Sequence, residues 1–312
     1  MNAAPLRAPA LAAGDRVGIV APSGPIVDEN AVRAGLDVLS SWDLDAVLMP
    51  HLHAQVGHLA GTDVERVADV NVAVQDPSIR AIWAVRGGYG AGRIVDLVRW
   101  QALREDPKLL LGFSDVTALL VAAWERTGLV TLHAPSVSAL GGIQRTPAET
   151  HLRHLVSSTA PIGQITWGAP APTAFGEGQG SGRLLGGNLA MLCSLLGTVD
   201  EPDTRGAIVF LEEVGEPPYR IDRMLIQLLR AGLLDEVDGL VVGRHVRCEP
   251  APGRPSLTAD EVVADVLGGL GIPTLVGVPI GHHQGQFALP LGVRATIDAD
   301  AATLTLHEAA VG

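Results

Sequence analysis

The first half of the chain alternates short apolar runs with amphipathic segments, and this alternation limits the possible folds more than any other feature. The apolar runs, rich in β-branched residues or leucine, are "RVGIVAPSG", "DAVLMP", "IRAIWAV", "PKLLLGF" and "LVTLHAP". The segments between them have helical periodicity, and Thr62 and Glu65 have the spacing of a helix capping box. Strands alternating with helices are typical of a parallel sheet with crossover helices. We therefore predict an N-terminal α/β domain over residues 5–157.

A change of composition indicates where this domain ends. Residues 158–182 are rich in Gly, Pro, Ser and Thr and have no sustained period, which predicts an interdomain linker. Residues 183–312 contain the strand "GAIVFLEE", the amphipathic helix "YRIDRMLIQLLRAGLL" and the alternating "RATIDADAATLTLHEA", which predicts a closing hairpin. They predict a smaller, β-rich α/β domain at the C-terminal end.

Composition excludes several classes of function. The chain has 312 residues, 47% of them hydrophobic, and a net charge of −12, which disfavours binding to nucleic acid or to an anionic membrane surface. No run approaches the roughly 18 apolar residues of a membrane span, and no secretion signal is evident. Two cysteines cannot form a disulfide framework. We expect a soluble cytoplasmic protein without membrane or nucleic-acid partners.

The segment "LLLGFSDVTALL" places Ser114 between a buried strand and a helix. A side chain at such a turn projects from the carboxyl edge of the sheet, and the N–H of Asp115 could hold an oxyanion formed there. The alternative is that Ser114 only caps the helix, as serine commonly does. Val116 stands where the second glycine of G-x-S-x-G would be, which disfavours an α/β-hydrolase.

A glycine turn, "RGGYGAGR", follows the preceding strand and opens another helix. It lacks the spacing of G-x-G-x-x-G and a Walker lysine, so it does not predict a phosphate loop. A tight structural turn explains it equally well. Its functional interpretation is a second oxyanion donor, for which we choose the N–H of Gly88.

Acidic and basic candidates lie at the ends of two later strands. Glu212 and Glu213 end "FLEE", where alternation turns one toward a cleft and the other away. His282 and His283 follow "GVPIG". Together with Ser114 they supply a nucleophile, an orienting acid and a base, which predicts convergence at the interdomain cleft.

A metal site is the competing chemistry. His51 and His53 in "HLH" could share an ion with His282 or His283, but no metal-ligand spacing supports this. A serine with its own base needs no metal-bound water, so we expect activity without a metal or other cofactor.

The motifs "RGGYGAGR", "GFSD", "LHAPS", "GRLLGGNLAML", "LEEVGEPPYRIDRML" and "GVPIGH" occur in that order between residues 17 and 291. As a set they closely resemble the LD-carboxypeptidase family of serine peptidases. The resemblance implies a Ser-Glu-His triad divided between two domains, formed here by Ser114, Glu212 and His282, and usually a homodimer. It also implies removal of the terminal D-alanine from murein tetrapeptides in cytoplasmic cell-wall recycling.

Three functions follow as hypotheses. The first is a serine L,D-carboxypeptidase acting on a peptide or muropeptide, in which Arg86 is one candidate for binding the substrate carboxylate. The second is an acyl-adenylate hydrolase, since a sister branch, the microcin C immunity peptidases, cuts such analogues. Trp167 could be mistaken for the adenine-stacking aromatic of that branch, but a buried tryptophan is the simpler interpretation. The third is a peptide-binding module without catalysis, which an intact triad disfavours.

Overall fold

A computed structural model describes residues 4–253 and 255–312, and its first sheet is the predicted parallel one. Six strands form this sheet in the order β12-β5-β4-β3-β1-β2. All neighbours are parallel except β12, which pairs antiparallel with β5. The strands are β1 (Arg16–Val20), β2 (Asp45–Leu48), β3 (Ile79–Ala84), β4 (Leu109–Gly112), β5 (Thr131–His133) and β12 (Leu289–Leu291).

Helices connect the parallel strands, as the periodicity predicts. They are α1 (Glu29–Ser41), α2 (Asp63–Gln75), α3 (Ala91–Ile94), α4 (Trp100–Glu105), α5 (Thr117–Thr127), α6 (Val137–Leu140) and α7 (Pro147–Ser157). The capping box at the start of α2 is confirmed, because the Thr62 side chain accepts from the Glu65 N–H while the Glu65 carboxylate accepts from the Thr62 N–H. This exchange satisfies two amides that a helix start leaves unpaired.

The second sheet has eight strands in the order β6-β14-β13-β8-β9-β10-β11-β7. They are β6 (Gly163–Gln164), β7 (Thr173–Phe175), β8 (Gln179–Asn188), β9 (Ala207–Glu212), β10 (Gly239–Gly243), β11 (Thr274–Val278), β13 (Arg294–Asp298) and β14 (Thr303–Leu306). Helices α8 (Leu189–Leu195), α9 (Pro218–Arg230) and α10 (Ala259–Leu267) accompany it. The central pairs from β8 to β11 are parallel, and the predicted hairpin is the antiparallel pair β13–β14.

The two-domain α/β architecture is confirmed, with two differences in how the chain is divided. Residues 158–182, expected to form a linker, contribute β6, β7 and the start of β8 to the second sheet. The short strand β12 belongs by sequence to the C-terminal part of the chain, but it pairs with β5 of the first sheet. Strands this short in Gly- and Pro-rich segments show no hydrophobic periodicity that predicts them. Their structure is determined by pairing with distant strands.

Parallel pairing brings strand ends from each sheet to a common edge. In the first sheet, Gly112 at the end of β4 pairs with His133 at the end of β5. In the second, Asn188 at the end of β8 pairs with Glu212 at the end of β9. Ligand sites of such sheets lie beyond the carboxyl ends of the strands. None of the helices in the described residues is long and apolar enough to cross a membrane.

A buried lysine fixes the start of β4. Lys108 is fully buried and its ammonium group donates to the carbonyls of Asp76 and Ile79 and to the Asp106 carboxylate, each at 2.8 Å. These bonds join the end of α2, the start of β3 and the start of β4. Burial of a charge is tolerated here because all three ammonium hydrogens have acceptors.

We expect Lys108→Met to lower the free energy of unfolding by about 1–3 kcal/mol, because it removes the ammonium donor from the Ile79 carbonyl, the Asp76 carbonyl and the Asp106 carboxylate. Urea unfolding followed by circular dichroism measures the change. Arg104→Met, at an exposed position of α4, is the matched control and should unfold near the wild-type midpoint. Equal midpoints for the two variants would show that the buried bonds contribute nothing net.

Candidate active site

Ser114 occupies a strained turn directly after β4. Its backbone has φ 61°, a left-handed conformation that is uncommon for a residue other than glycine. A short 3₁₀ segment, Ser114–Val116, leads from it into α5, and the two cap residues there are Phe113 and Val116. The Ser114 hydroxyl caps neither segment, so the capping interpretation is wrong. Strain of this kind is concentrated at functional sites and is typical of nucleophile elbows.

The glycine turn after β3 packs directly on Ser114. A Cβ at Gly87 would lie 2.8 Å from the Ser114 Cβ, so only glycine fits beside this turn. Gly88 has φ 128° and approaches the backbone of Gly24, where a Cβ would lie 2.9 Å from the Gly24 nitrogen. Gly88, the predicted oxyanion donor, is therefore the residue after Gly87, which packs against the candidate nucleophile Ser114.

The Asp115 side chain has a role that the sequence does not reveal. Its carboxylate is buried and accepts from the Ser23 hydroxyl at 2.6 Å and from the Ala91 N–H at 2.8 Å. It thereby joins the serine turn to the turn after β1 and to the end of the glycine turn. The Asp115 N–H lies in the first turn of the 3₁₀ segment, where helical amides have no acceptor within the helix.

Glu212 and His282 form a direct pair. His282 Nδ1–H donates to Glu212 Oε2 at 2.7 Å, and Glu212 is fully buried. The ring of His282 lies 4.8 Å from the ring of Phe113, the residue before Ser114. The residue before Ser114 thus lies beside the Glu212–His282 pair, although these residues come from different strand ends. Ser114 and His282 share no hydrogen bond, and catalytic bonds of this kind often tighten only in the complex with substrate.

Close approach of the pair depends on Gly281. This residue has φ 75°, and a Cβ there would lie 2.2 Å from Glu212 Oε2. Glycine at this position lets the loop after β11 pass over the carboxylate and places the next residue, His282, within hydrogen-bond distance of it.

The two adjacent glutamates face opposite ways, as strand alternation predicts. The Glu213 carboxylate accepts from Asn188 Nδ2 at 3.0 Å and from the N–H groups of Ala190 and Val214 at 2.9 Å and 2.8 Å. It therefore holds the start of α8, whereas the Glu212 carboxylate is the one bonded to His282. Burial raises the pKa of Glu213, and these hydrogen bonds oppose the shift.

Glu212 has the opposite electrostatic character. Burial alone would raise the pKa of Glu212, but the hydrogen bond from His282, the interactions with both histidines and Asn188 together hold it below its usual value. Glu212 is therefore a carboxylate at neutral pH, the form that orients an imidazole and stabilises its cation.

Asn188 joins the two domains at this site. Its backbone N–H donates to the Thr117 hydroxyl of α5 at 3.1 Å, and its side chain donates to Glu213. A Cβ on the preceding Gly187 would lie 2.3 Å from the Thr117 methyl carbon, so glycine is needed there too. The motif "GRLLGGNLAML" contains both residues, but the sequence gives no sign that their partner is the helix after Ser114.

Arg244 is a second residue that sequence reasoning missed. Its guanidinium donates to Gly277 O at 2.9 Å, to Pro170 O at 2.8 Å and to His283 Nε2 at 2.7 Å. It fixes the loop that carries His282 by holding the next residue. His283 accepts from a cation, and burial followed by the Arg244 charge lowers the pKa of His283.

The other predicted residues have separate partners. Arg86 donates to Pro25 O at 2.7 Å, which holds it on the turn after β1. His51 pairs with Asp69 at 2.7 Å and His53 with Glu29 at 3.2 Å. Within residues 4–253 and 255–312, no three metal-ligating side chains come together, so the geometry gives the metal alternative no support.

One surface cavity lies away from these residues. It is a groove of about 680 Å³ between α7 and residues 162–166, and none of the three triad candidates lines it. A cavity of about 290 Å³ lies nearer, against Arg244 and His283. Trp167 lines that cavity but is only 8% exposed, with its ring edge-on to Phe287 at 5.4 Å.

Two family models match the chain. The LD-carboxypeptidase N-terminal domain matches residues 17–134, and the LD-carboxypeptidase C-terminal domain matches residues 181–297. The chain belongs to the LD-carboxypeptidase family. The resemblance inferred from the sequence motifs is confirmed, and family membership makes this protein a peptidase.

Relatives of this peptidase cover nearly all of the chain. A putative carboxypeptidase of Streptomyces coelicolor is 45% identical over 306 residues, which is 96% of each protein. The murein tetrapeptide carboxypeptidase of Pseudomonas aeruginosa is 31% identical, covering 91% of this chain and 93% of the relative. The microcin C7 self-immunity protein MccF, solved in complex with aspartyl sulfamoyl adenosine, is 26% identical with a TM-score of 0.90, covering 99% of this chain and 100% of its own.

We expect Gly281→Ala to reduce peptidase turnover by about 10²- to 10⁴-fold, because the new methyl group displaces the Glu212 carboxylate from His282. Steady-state kinetics of the purified variant measure the effect. Gly285→Ala is the matched control: it has φ 77° and suffers the same backbone strain, but nothing lies within 4 Å of the added Cβ. An equal loss in both variants would assign the effect to strain in the loop.

Proposed function

We propose that this protein is a serine peptidase that hydrolyses the L,D bond before the terminal D-alanine of murein tetrapeptides. The buried Glu212–His282 pair beside the strained Ser114 turn is the observation that carries the proposal. A carboxylate kept ionised by its histidine partner is the group that a serine nucleophile needs behind its base.

The proposed reaction divides its steps among Ser114, His282 and the two oxyanion donors. His282 takes the Ser114 proton as Oγ attacks the scissile carbonyl carbon, and the N–H groups of Gly88 and Asp115 hold the resulting oxyanion. Collapse of the tetrahedral intermediate breaks the C–N bond, and His282 returns the proton to the nitrogen of the leaving D-alanine. A water molecule, deprotonated by His282, then hydrolyses the acyl-enzyme and restores Ser114.

Substrate choice rests on the relatives and on one arginine. The Pseudomonas aeruginosa relative is named a murein tetrapeptide carboxypeptidase. A carboxypeptidase must bind a terminal carboxylate, and Arg86 at the start of the glycine turn supplies a guanidinium for it, with its NH1 group anchored on Pro25. We further propose that the enzyme acts as a homodimer in cytoplasmic cell-wall recycling.

An acyl-adenylate hydrolase is the second candidate, favoured by the TM-score of 0.90 to MccF bound to aspartyl sulfamoyl adenosine. Against it stands Trp167, the tryptophan considered for adenine stacking, which is only 8% exposed and packs edge-on against Phe287.

The deciding experiment incubates the protein separately with murein tetrapeptide and with an aminoacyl sulfamoyl adenylate, with products identified by mass. We expect the tetrapeptide to lose one alanine, and this turnover to be unchanged by EDTA, because serine chemistry needs no bound metal. Ser114→Ala is the control and should release no alanine above background. Cleavage of the adenylate analogue alone would replace the proposal by the second candidate, and activity lost to EDTA and restored by zinc would contradict the serine mechanism.

The assignment of the acid is tested by two substitutions on one strand. We expect Glu212→Gln to lower kcat by about 10⁴-fold, because a neutral amide holds the wrong imidazole tautomer and cannot stabilise the imidazolium. Glu213→Gln should lower thermal stability, since it disturbs the carboxylate that holds α8, but should reduce kcat of the folded enzyme far less. If Glu213→Gln abolished turnover while Glu212→Gln retained it, the assignment would be reversed.

A further inference from the structure

A second histidine lies behind the candidate acid. His133 ends β5, is fully buried, and pairs in register with Gly112 immediately before the Phe113–Ser114 turn. Its ring is edge-on to Phe113 at 6.1 Å and to Phe210 at 5.2 Å. The proposed reaction gives this residue no role, although its motif "LHAPS" lies among those that identify the family.

Among the residues that the structure describes, no hydrogen-bond partner reaches the polar atoms of this histidine or one oxygen of the candidate acid. Among the buried side-chain atoms without a hydrogen bond are both ring nitrogens of His133 and Oε1 of Glu212. His133 Nε2 and Glu212 Oε1 lie 4.0 Å apart. This separation is longer than a direct hydrogen bond, which spans about 2.9 Å. It is also too short for a bridging water, which needs about 4.5 Å between its two partners. A shift of about 1 Å joins the two atoms directly.

Charge favours the same pairing. Burial lowers the pKa of His133 to about 4, although the Glu212 charge opposes this shift and His282 adds to it. His133 is therefore neutral at pH 7 and carries one ring N–H. The groups that favour the Glu212 carboxylate are His282, His133 and the Asn188 amide, while the charges of Glu212 and the neighbouring Glu213 repel each other. His133 Nε2 is thus a donor close to Glu212 Oε1, which has no hydrogen bond, while Oε2 is already bonded to His282.

We infer that His133 is a positioning residue of the proposed peptidase, whose neutral Nε2–H donates to Oε1 of Glu212 and so holds Oε2 against His282. This inference rests on the proposed function, since it gives His133 its effect on turnover through Glu212. The bond leaves His133 Nδ1 as an acceptor only. It also stabilises the Glu212 carboxylate, which makes uptake of a proton by the Glu212–His282 pair less favourable.

Two substitutions separate this role from simple packing. In His133→Gln, the side-chain amide nitrogen can reach the position of Nε2 and still donate, whereas His133→Leu fills the apolar space without a donor. A positioning role predicts kcat within about threefold of wild type for His133→Gln and a loss of about 10- to 100-fold for His133→Leu. A packing role predicts the reverse order, because leucine packs against the apolar side chains of Phe113 and Phe210 better than glutamine does.

The pH profile gives a readout that packing would not move. In His133→Leu the acid limb of kcat/KM should shift to higher pH, because the Glu212 carboxylate loses a donor and the Glu212–His282 pair then binds a proton more readily. His133→Gln should keep the wild-type limb. An unshifted limb in His133→Leu, or the packing order of rates, would overturn the inference.

Nuclear magnetic resonance of the ¹⁵N-histidine-labelled wild-type protein tests the contact without turnover. We expect one protonated nitrogen, Nε2, on a His133 ring that stays neutral from pH 8 to pH 5, and a lower protonation midpoint for the Glu212–His282 pair than in His133→Leu. A wild-type His133 ring that gains charge in this range, or that carries its proton on Nδ1, would overturn the inference even if both variants folded poorly. If these signals appear but no substrate is cleaved, the proposed function fails while the His133–Glu212 contact stands.

Discussion

Burial of the Glu212 carboxylate is the constraint on which the site depends. A charge removed from water must be matched by donors, and Glu212 is fully buried at the end of β9. Its main donor, His282, comes from the loop after β11, so that loop must pass over β9, and Gly281 makes this possible because no Cβ meets Oε2. The charge needed for the chemistry therefore also fixes the backbone around it.

A hydrogen bond beside this carboxylate also joins the two domains. Asn188 ends β8 beside Glu212, and its backbone N–H donates to Thr117 at the start of α5, three residues after Ser114. On the other side of the serine turn, the Asp115 carboxylate binds Ser23 and Ala91. The Asn188–Thr117 bond is thus a contact between the domains beside the candidate site, so separating the two sheets would also separate Ser114 from Glu212.

How much the sequence predicts follows from the range of each interaction. The capping box of Thr62 and Glu65 and the opposite facing of Glu212 and Glu213 depend on local periodicity, and both were predicted. The convergence of Ser114, Glu212 and His282 depends on strands with shared edges, which the pattern of strand ends indicates. The pairing of β12 with β5, the strands within residues 158–182, and the partners of Arg244 and Asn188 depend on chain folding between distant segments. Propensity and period contain no information on these contacts.

Two dipeptides show how a fold divides roles between neighbours of one residue type. In "EE", Glu212 faces the site as a carboxylate of lowered pKa, while the pKa of Glu213 is raised and this residue holds α8. In "HH", His282 faces Glu212, while His283 accepts from Arg244 and so anchors the loop. If the two histidines exchanged roles, the Arg244 guanidinium would lie beside the candidate base. If the two glutamates exchanged roles, α8 would lose the carboxylate that holds its start. Burial and the adjacent Arg244 guanidinium lower the pKa of His283, so His283 is electrostatically unsuited to general-base chemistry. Of the two histidines in this loop, His282 is therefore the candidate base for Ser114.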